Sequence, residues 1–243
     1  MDDPRDLVGV IAYASMDPSA GFDRVLRWLK WPIAFISLVF LPGVIYAFSF
    51  VVQDIAHRPS AIVPFLVGAG AFLILWLAVL RPSTSRHYLV TIEHELTHVL
   101  FALLTFHRVS GVRAGLVGGG HARYTGNGNW LIAIAPFVVP LFSLIVLAIG
   151  TWVHQPRLIS GILGFTLVWN VVANWAHIHR HHGDHREAGQ IFSFLFVTCA
   201  NLLVLGMVLA YTTQARSLTG HLDHVAGPTR AFFSWLVKLL SPG

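Results

Sequence analysis

The stretch YLVTIEHELTHVLFALLTF, residues 88–106, decides how this chain is organised. It is apolar almost throughout, yet it carries His94, Glu95 and His98. As an α-helix it would be about 28 Å long, close to the thickness of the hydrocarbon core of a bilayer. His94 and His98 are four residues apart and therefore lie on one face of that helix, with Glu95 beside them. This H-E-x-x-H spacing predicts two imidazoles on one metal ion and a carboxylate able to take a proton from a metal-bound water.

A purely structural interpretation of these residues is also available. Both histidines would be hydrogen-bonded inside a helix bundle, and Glu95 would be paired with one of them. Ionisable groups at the depth of a membrane are costly, however, and they usually mark a functional site. We therefore favour a metal centre.

The composition indicates an integral, multi-pass membrane protein. The 243 residues are 55% hydrophobic and 11% charged, with a mean hydropathy of +0.67, whereas soluble domains are about 25% charged. The formal net charge of +5 is spread between apolar spans, which indicates membrane topology and headgroup contact and not a nucleic-acid partner. The single cysteine, Cys199, excludes an intramolecular disulfide. The acidic start MDDPRD is unlike the positive start of a signal peptide.

Apolar segments of membrane-spanning length recur along the chain. Six are predicted, at residues 31–52, 61–80, 88–106, 129–153, 158–176 and 190–212. The predicted fold is an all-α polytopic membrane protein of about six transmembrane helices, which occupy residues 31–212. Residues 1–30 form a polar N-terminal lead with a short interfacial helix. Residues 213–243 form a tail, and its end at 229–240 predicts an interfacial amphipathic helix.

Glycine and proline mark two further features of the spans. Gly68 and Gly70 in the second span would let another helix approach closely. Pro136 and Pro140 predict a distortion in the fourth span.

Residues 107–128 are too polar and too rich in glycine for a span, because they hold seven glycines. Alternating apolar positions predict two short strands around the turn at residues 118–120. This β-like loop follows the motif helix directly, so it would lie beside the metal centre and could hold an extended peptide along an open strand edge. The alternative is a plain connector.

A catalytic zinc takes three protein ligands, so two histidines do not complete the site. Because spans alternate in direction, the end of the fifth span lies on the same membrane side as the end of the motif span. Asp184 lies just after the fifth span and is the favoured third ligand. Glu187 is the second choice. The third choice is one of the histidines of the same loop, at positions 177, 179, 181, 182 and 185.

Together, HELTH inside a hydrophobic span, a glycine-rich β-like loop after it and an aspartate after a later span resemble the site-2 protease family of membrane-embedded zinc metalloproteases. The resemblance covers about residues 88–212 and is greatest to the compact branch without accessory domains. It implies one zinc per chain bound by His94, His98 and Asp184, with Glu95 as the general base. It also implies that Asn174 helps to hold the substrate backbone or to polarise the scissile carbonyl. The substrate would be a membrane protein or peptide within or beside the bilayer.

One departure from the family pattern concerns the aspartate. It normally stands in a Leu-Asp-Gly run, whereas this chain has Gly183-Asp184-His185. This departure makes Asp184 the assignment most in need of a test.

Orientation and oligomeric state are not decided by the sequence. If the spans alternate, one group of basic residues lies on the N-terminal side: Arg24, Arg27, Lys30, Arg81, Arg86, Arg157 and Arg216. The other group lies on the side of the metal centre: Arg58, Arg108, Arg113, Arg123, Arg180 and Arg186. The two groups are nearly equal, so the positive-inside rule gives no orientation.

Two other functions use the same residues. A membrane di-iron lipid desaturase or hydroxylase would use His94-x-x-x-His98 and His177-x-x-x-His181-His182 as histidine boxes, but it gives Glu95 no specific role. A non-enzymatic zinc transporter or sensor would explain the histidine-rich loop, but not the position of Glu95.

Overall fold

The structure is a computed structural model that describes residues 18–83, 86–114, 120–126, 128–153, 155–178, 189–213 and 218–241. Two helices precede the motif helix: α1 (Pro18–His57) and α2 (Pro59–Leu75), which a π-helical turn, Trp76–Leu80, continues. The motif helix is α3 (Arg86–Leu104), and the strands β1 (Val109–Ala114) and β2 (Gly120–Tyr124) follow it. The remaining helices are α4 (Trp130–Val138), α5 (Leu141–Gly150), α6 (Pro156–Ile178), α7 (Gln190–Thr213) and α8 (Leu218–Leu240).

The prediction of a helical polytopic membrane protein with a short β-like loop is confirmed. Within the described residues, four helices are long and apolar enough to cross a membrane, namely α1, α2 with its π-helical turn, α6 over Pro156–Ala176, and α7. The pair α4 and α5, bent by 64° at its break, makes a fifth span if it is counted as one. The motif helix α3 is not among them, because its histidines and glutamates lower its hydropathy. With α3 included, all six predicted segments are helical.

The first helix is longer than a span requires. Its 40 residues correspond to about 60 Å, twice the hydrocarbon thickness of a bilayer. The interfacial helix expected before residue 31 is therefore continuous with the first span. The C-terminal helix is also longer than expected and begins at Leu218. Its Val225 packs against Val44 and Ala47 of α1 and Cys199 of α7.

The start of α1 lies beside the end of the motif helix. The rings of Phe22 and Phe106 are 5.6 Å apart in an edge-on arrangement, and the indole of Trp130 donates a hydrogen bond to the carbonyl of Leu26 at 2.7 Å. At the opposite end of the bundle, the end of α5 is joined to α7, because the hydroxyl of Tyr211 donates to the carbonyl of Gly150 at 2.9 Å.

This arrangement corrects the assignment of basic residues to the two membrane sides, which assumed that the spans alternate in direction. That assignment placed Arg24, Arg27 and Lys30 on the side opposite to the end of the motif helix, but α1 begins beside that end. Strict alternation fails because α3 begins beside the middle of α6, where the indole of Trp169 donates to the carbonyl of Leu89 at 3.0 Å. The motif helix therefore does not cross from one face of the bundle to the other as the long helices do.

Glycine lets α2 and α6 pack with their backbones in contact. A Cβ atom at Gly68 would overlap the carbonyl of Gly161, and a Cβ atom at Gly164 would overlap the carbonyl of Phe65. The predicted close approach at Gly68 is confirmed. Gly70, in contrast, has open space around its Cα atom.

Replacing Gly68 by alanine should therefore destabilise the protein by about 1–3 kcal/mol, because the added methyl group forces two backbones apart. Gly70→Ala is the matched control, since it adds the same methyl group to the same helix where nothing is touched. Thermal unfolding of the two variants in the same detergent measures the difference. Equal melting temperatures would contradict this packing.

Candidate metal centre

The histidines of the motif lie together on the inner face of α3. The ring centroids of His94 and His98 are 4.8 Å apart and their planes are inclined by 79°. His94 is buried, and its ring also packs edge-on against Phe137 of α4 at 5.4 Å. The four-residue spacing has thus produced the paired imidazoles that the sequence predicts.

A proline in α4 determines how His98 is oriented. In a regular helix the carbonyl of Ile132 would accept from the amide of residue 136, but that residue is proline and has no N–H. The Nδ1 atom of His98 lies 2.8 Å from this carbonyl oxygen. Because a carbonyl only accepts hydrogen bonds, Nδ1 carries the proton and donates it. In the neutral ring, Nε2 of His98 then keeps the lone pair, which is the form of imidazole that binds a metal ion.

The carboxylate of Glu95 is held by the hairpin. The amide N–H of Ala122 in β2 donates to Oε2 of Glu95 at 2.8 Å. Strand β2 pairs antiparallel with β1, and Ala122 stands opposite Val112. Since the N–H of Ala122 is directed to α3, this edge of β2 faces the motif helix and not β1. The interpretation of residues 107–128 as a plain connector is therefore wrong, and two strands lie beside the motif.

The second proline of the fourth span leaves another carbonyl without its helical donor. Pro140 has no N–H for the carbonyl of Pro136, and the side-chain amide of Asn174 donates to that carbonyl at 3.1 Å. The next carbonyl, that of Phe137, accepts from the side-chain amide of Asn201 at 2.9 Å. Asparagines from α6 and α7 thus satisfy the carbonyls exposed by the break between α4 and α5.

A second glutamate of the motif helix satisfies the other side of the break. Oε1 of Glu93 accepts from the amide of Phe142, in the first turn of α5, at 3.3 Å. Glu93 is 1% exposed, and the side chain of Asn170 also hydrogen-bonds to it. An acidic group at the start of a helix replaces the missing hydrogen-bond acceptors and interacts favourably with the helix dipole. Glu93 therefore ties α3 to α5.

The start of α4 is fixed by contacts with α1 and with the end of α3. Oδ1 of Asn129 accepts from the amides of Leu131 and Ile132, both at 3.1 Å, which is a helix N-cap. The amide of the same side chain donates to Oδ1 of Asp23 at 2.8 Å. Oδ2 of Asp23 lies 3.3 Å from Nε2 of the buried His107. Ile132, whose carbonyl orients His98, therefore lies in a helix start that Asn129 caps and that Asp23 of α1 holds in place.

The predicted site residues are placed as follows. His94, Glu95 and His98 lie together. Asn174 lies beside the break, where its amide donates both to Pro136 and to Oδ1 of Asn170 at 3.2 Å. Its role in holding substrate remains a prediction. Asp184, Glu187 and the side chains of the loop histidines 177, 179, 181, 182 and 185 lie outside the described residues. Within the described part of the chain, no group of three metal-binding side chains is present.

Sequence reasoning missed Glu93, Asn201 and the Asp23–His107 contact. A signal for the first two was available, because two prolines four residues apart in an apolar span must leave carbonyls that polar side chains satisfy. Nothing in the sequence shows which side chains these are.

A scan against protein families matches residues 64–179 to the family described as Peptidase M50B-like. The chain belongs to the site-2 protease family. The match includes the motif helix, the hairpin, the broken fourth span and most of α6, and it ends before Asp184. No curated protein and no solved structure matches the chain. Membership in this family, together with several long apolar helices, makes the chain an integral multi-pass membrane protein and supports a metalloprotease over a desaturase or a transporter.

The chemistry of the described residues fits the zinc of this family. Two imidazoles on one helix face, one of them with Nδ1 directed at a carbonyl so that Nε2 is available, suit two of the three ligands of a catalytic zinc.

Replacing Pro136 by alanine should weaken zinc binding by about tenfold, because outer-shell partners of a ligand contribute about 10–100-fold to metal affinity. The new N–H at position 136 competes for the carbonyl of Ile132 and loosens the hold on His98. Competition with a chelator measures zinc affinity, and ¹⁵N-histidine spectra of the metal-free protein report the tautomer of His98. Pro140→Ala is the matched control, since the carbonyl that it restores faces Asn174. Unchanged zinc affinity and an unchanged His98 tautomer in Pro136→Ala would contradict this role.

Proposed function

We propose that this site-2 protease family member is an intramembrane zinc metalloprotease that hydrolyses peptide bonds of membrane-spanning or membrane-proximal substrates. The observation that carries the proposal is the pair His94 and His98 beside Glu95, with Nδ1 of His98 committed to the carbonyl of Ile132.

The zinc would be held by Nε2 of His98, by His94 and by a third ligand, for which we propose Asp184. When bound, zinc supplies Lewis-acid polarisation of the scissile carbonyl and activates water. Glu95 takes the proton of the attacking water and delivers it to the leaving amine. We propose that Asn174 contacts the substrate backbone near the developing oxyanion, which requires its amide to exchange the carbonyl of Pro136 for the substrate.

The hairpin supports a way for the substrate to bind. The edge of β2 at Ala122 faces Glu95, so an extended peptide can add to the antiparallel pair there by taking over the N–H of Ala122 from the Glu95 carboxylate. A peptide laid along that edge in an extended conformation passes beside Glu95 and the two histidines. Main-chain hydrogen bonds hold such a peptide whatever its side chains are, so β2 is proposed to position the scissile bond.

This binding mode places a requirement on membrane-spanning substrates. An α-helix keeps its carbonyls in internal hydrogen bonds, and it must unwind before it can pair with β2 or be cut. We therefore expect substrates with glycine, proline or other weak helix formers near the cleavage site.

The position of α1 in the structure also supports an orientation of the protein in the membrane. Arg24, Arg27 and Lys30 lie at the end of the bundle where Phe22 meets Phe106 and the hairpin begins. Arg108 and Arg123 belong to the same end, since the residues beside them are paired across the start of the hairpin. Arg58 lies at the far end of α1. We propose that the end carrying the hairpin faces the cytosol, because cytoplasmic segments are enriched in lysine and arginine.

Replacing Glu95 by glutamine should abolish peptide hydrolysis, with a loss of at least about 100-fold, because general acid–base catalysis contributes about 10²–10⁴-fold. Zinc should remain near one ion per chain, since Glu95 is not proposed as a ligand. Turnover of a membrane peptide with a glycine or proline near its centre measures the first effect, and elemental analysis of the purified protein measures the second. Glu93→Gln is the matched control on the same helix and should keep turnover.

The same elemental analysis on His94→Ala and Asp184→Ala tests the ligand set. Loss of zinc from both variants supports the proposed ligands. Loss from His94→Ala alone would exclude Asp184 and favour Glu187 or a loop histidine. Two irons per chain, or Glu95→Gln with full activity, would contradict the protease.

Orientation is tested by single cysteines at the two ends of α1 in a Cys199→Ala background. Arg58→Cys should react with a membrane-impermeant thiol reagent in intact cells, whereas Arg24→Cys should react only after lysis. Both positions are exposed, so a difference in labelling reports the side of the membrane. The reverse pattern would contradict a cytosolic hairpin.

A further inference from the structure

A polar cavity of about 170 Å³ lies at the hairpin end of the bundle, apart from the metal centre. Three of its residues come from the start of α1 and three from the start of α4, and they are Asp23, Arg27, Lys30, Gly128, Asn129 and Trp130. Neither the family assignment nor the proposed proteolysis gives this cavity a role.

The cavity has an excess of positive charge. Arg27 and Lys30 make no ion pair with any carboxylate of the described residues. Among the described lining residues Asp23 is the only acidic one, and it has one oxygen occupied by Asn129 and the other next to His107. Nζ of Lys30 also lies close to Gly189, directly before α7, where a Cβ atom would be 3.2 Å away. A lysine at the positive end of a helix dipole adds to the local potential and does not neutralise it.

An apolar groove of about 350 Å³ continues from this cavity along α1. It lies between α1, α7 and α8, and Ile36, Phe40, Phe196, Ala200, Leu203 and Leu222 are among its lining residues. Two rings connect the cavity to the groove. Nζ of Lys30 lies 5.5 Å from the ring centroid of Phe192, and that ring stacks on Phe196 at 5.6 Å.

The dimensions match one leaflet of a membrane. From Lys30 to Val44, the deepest groove residue on α1, the helix rises about 21 Å, comparable with half of a hydrocarbon core about 30 Å thick together with part of the headgroup region. Trp28 and Trp31 project outward beside the cavity, with exposed fractions of 79% and 63%. Tryptophan is enriched at the level of the headgroups, so the cationic cavity lies where a lipid phosphate lies.

We propose that this cavity and groove form a binding site for one anionic phospholipid. The phosphate lies between Arg27 and Lys30, and an acyl chain runs over Phe196 into the groove between α1, α7 and α8. The basic residues at this end favour the cytosolic leaflet, which is the anionic one. Because α1 also contacts Asn129 and His107, a lipid here stabilises the element that holds the start of α4.

The test compares lipid binding by the wild type, Arg27→Gln/Lys30→Gln and Arg24→Gln. Arg24 is exposed on the same helix but does not line the cavity, so its variant is the matched control for loss of charge. Native mass spectrometry with phosphatidylglycerol, and thermal unfolding in nanodiscs with and without that lipid, are the two measurements. The double variant should bind phosphatidylglycerol about 25-fold more weakly, since each basic residue contributes about fivefold. Arg24→Gln should match the wild type.

Two further variants and one further ligand test the lipid site. Arg27→Lys/Lys30→Arg should keep the lipid, which separates loss of charge from damage to the fold. Ala200→Phe, which fills the groove but leaves the cationic residues, should also weaken lipid binding. Inorganic phosphate alone should stabilise the protein far less than the lipid. The proposal is overturned if phosphatidylcholine binds as tightly as phosphatidylglycerol, if Arg24→Gln loses as much lipid as the double variant, or if free phosphate reproduces the whole stabilisation.

Discussion

Two prolines four residues apart in the fourth span create the constraint on which this structure depends. Pro136 and Pro140 lack the N–H groups that the carbonyls of Ile132 and Pro136 would use in a regular helix. Inside a bilayer no water is available to replace them. The hydrogen bonds therefore come from other helices: His98 on α3 donates to the first carbonyl and Asn174 on α6 to the second. A local defect in one helix thus holds three helices together.

The same defect connects stability with chemistry. Glu93, directly before His94 in the sequence, accepts from the start of α5, so the motif helix is fixed to both halves of the broken span. The carbonyl that orients His98 belongs to the first turns of α4, which Asn129 caps. A shift of α4 would therefore move the tautomer-setting partner of a proposed zinc ligand. Close helix packing at the Gly68–Gly161 contact keeps α6 in place behind this assembly.

Around the site, the remaining elements form one end of the molecule. The hairpin holds Glu95 through Ala122, and the start of α1 reaches the end of α3 through Asp23 and His107. The proposed substrate edge, the proposed cytosolic face and the proposed lipid site all lie at this end. A bound substrate and a bound lipid are therefore expected to lie close to each other. The substrate would contact β2, and the lipid would contact Arg27 and Lys30.

The sequence by itself determined the elements and their chemistry. The four-residue spacing of His94 and His98 needs only the geometry of one helix, and the bend at Pro136 and Pro140 needs only the missing N–H groups. The hairpin followed from glycines and alternating apolar residues, because such patterns are local. The motif that identifies the family is local for the same reason.

Only the tertiary structure decided which groups meet. Asn174 and Pro136 are 38 residues apart, and Asp23 and Asn129 are 106 apart. No local pattern shows that a free carbonyl in α4 accepts a hydrogen bond from His98, or that Glu93 accepts one from the start of α5. The direction of α1 relative to α3 also depended on packing. Because α3 starts beside the middle of α6, the spans do not simply alternate, and the membrane side of each loop cannot be counted from the sequence. Pairing of distant polar groups is a property of the assembled helices, since each group is satisfied only by whichever donor or acceptor the packing brings within hydrogen-bond distance.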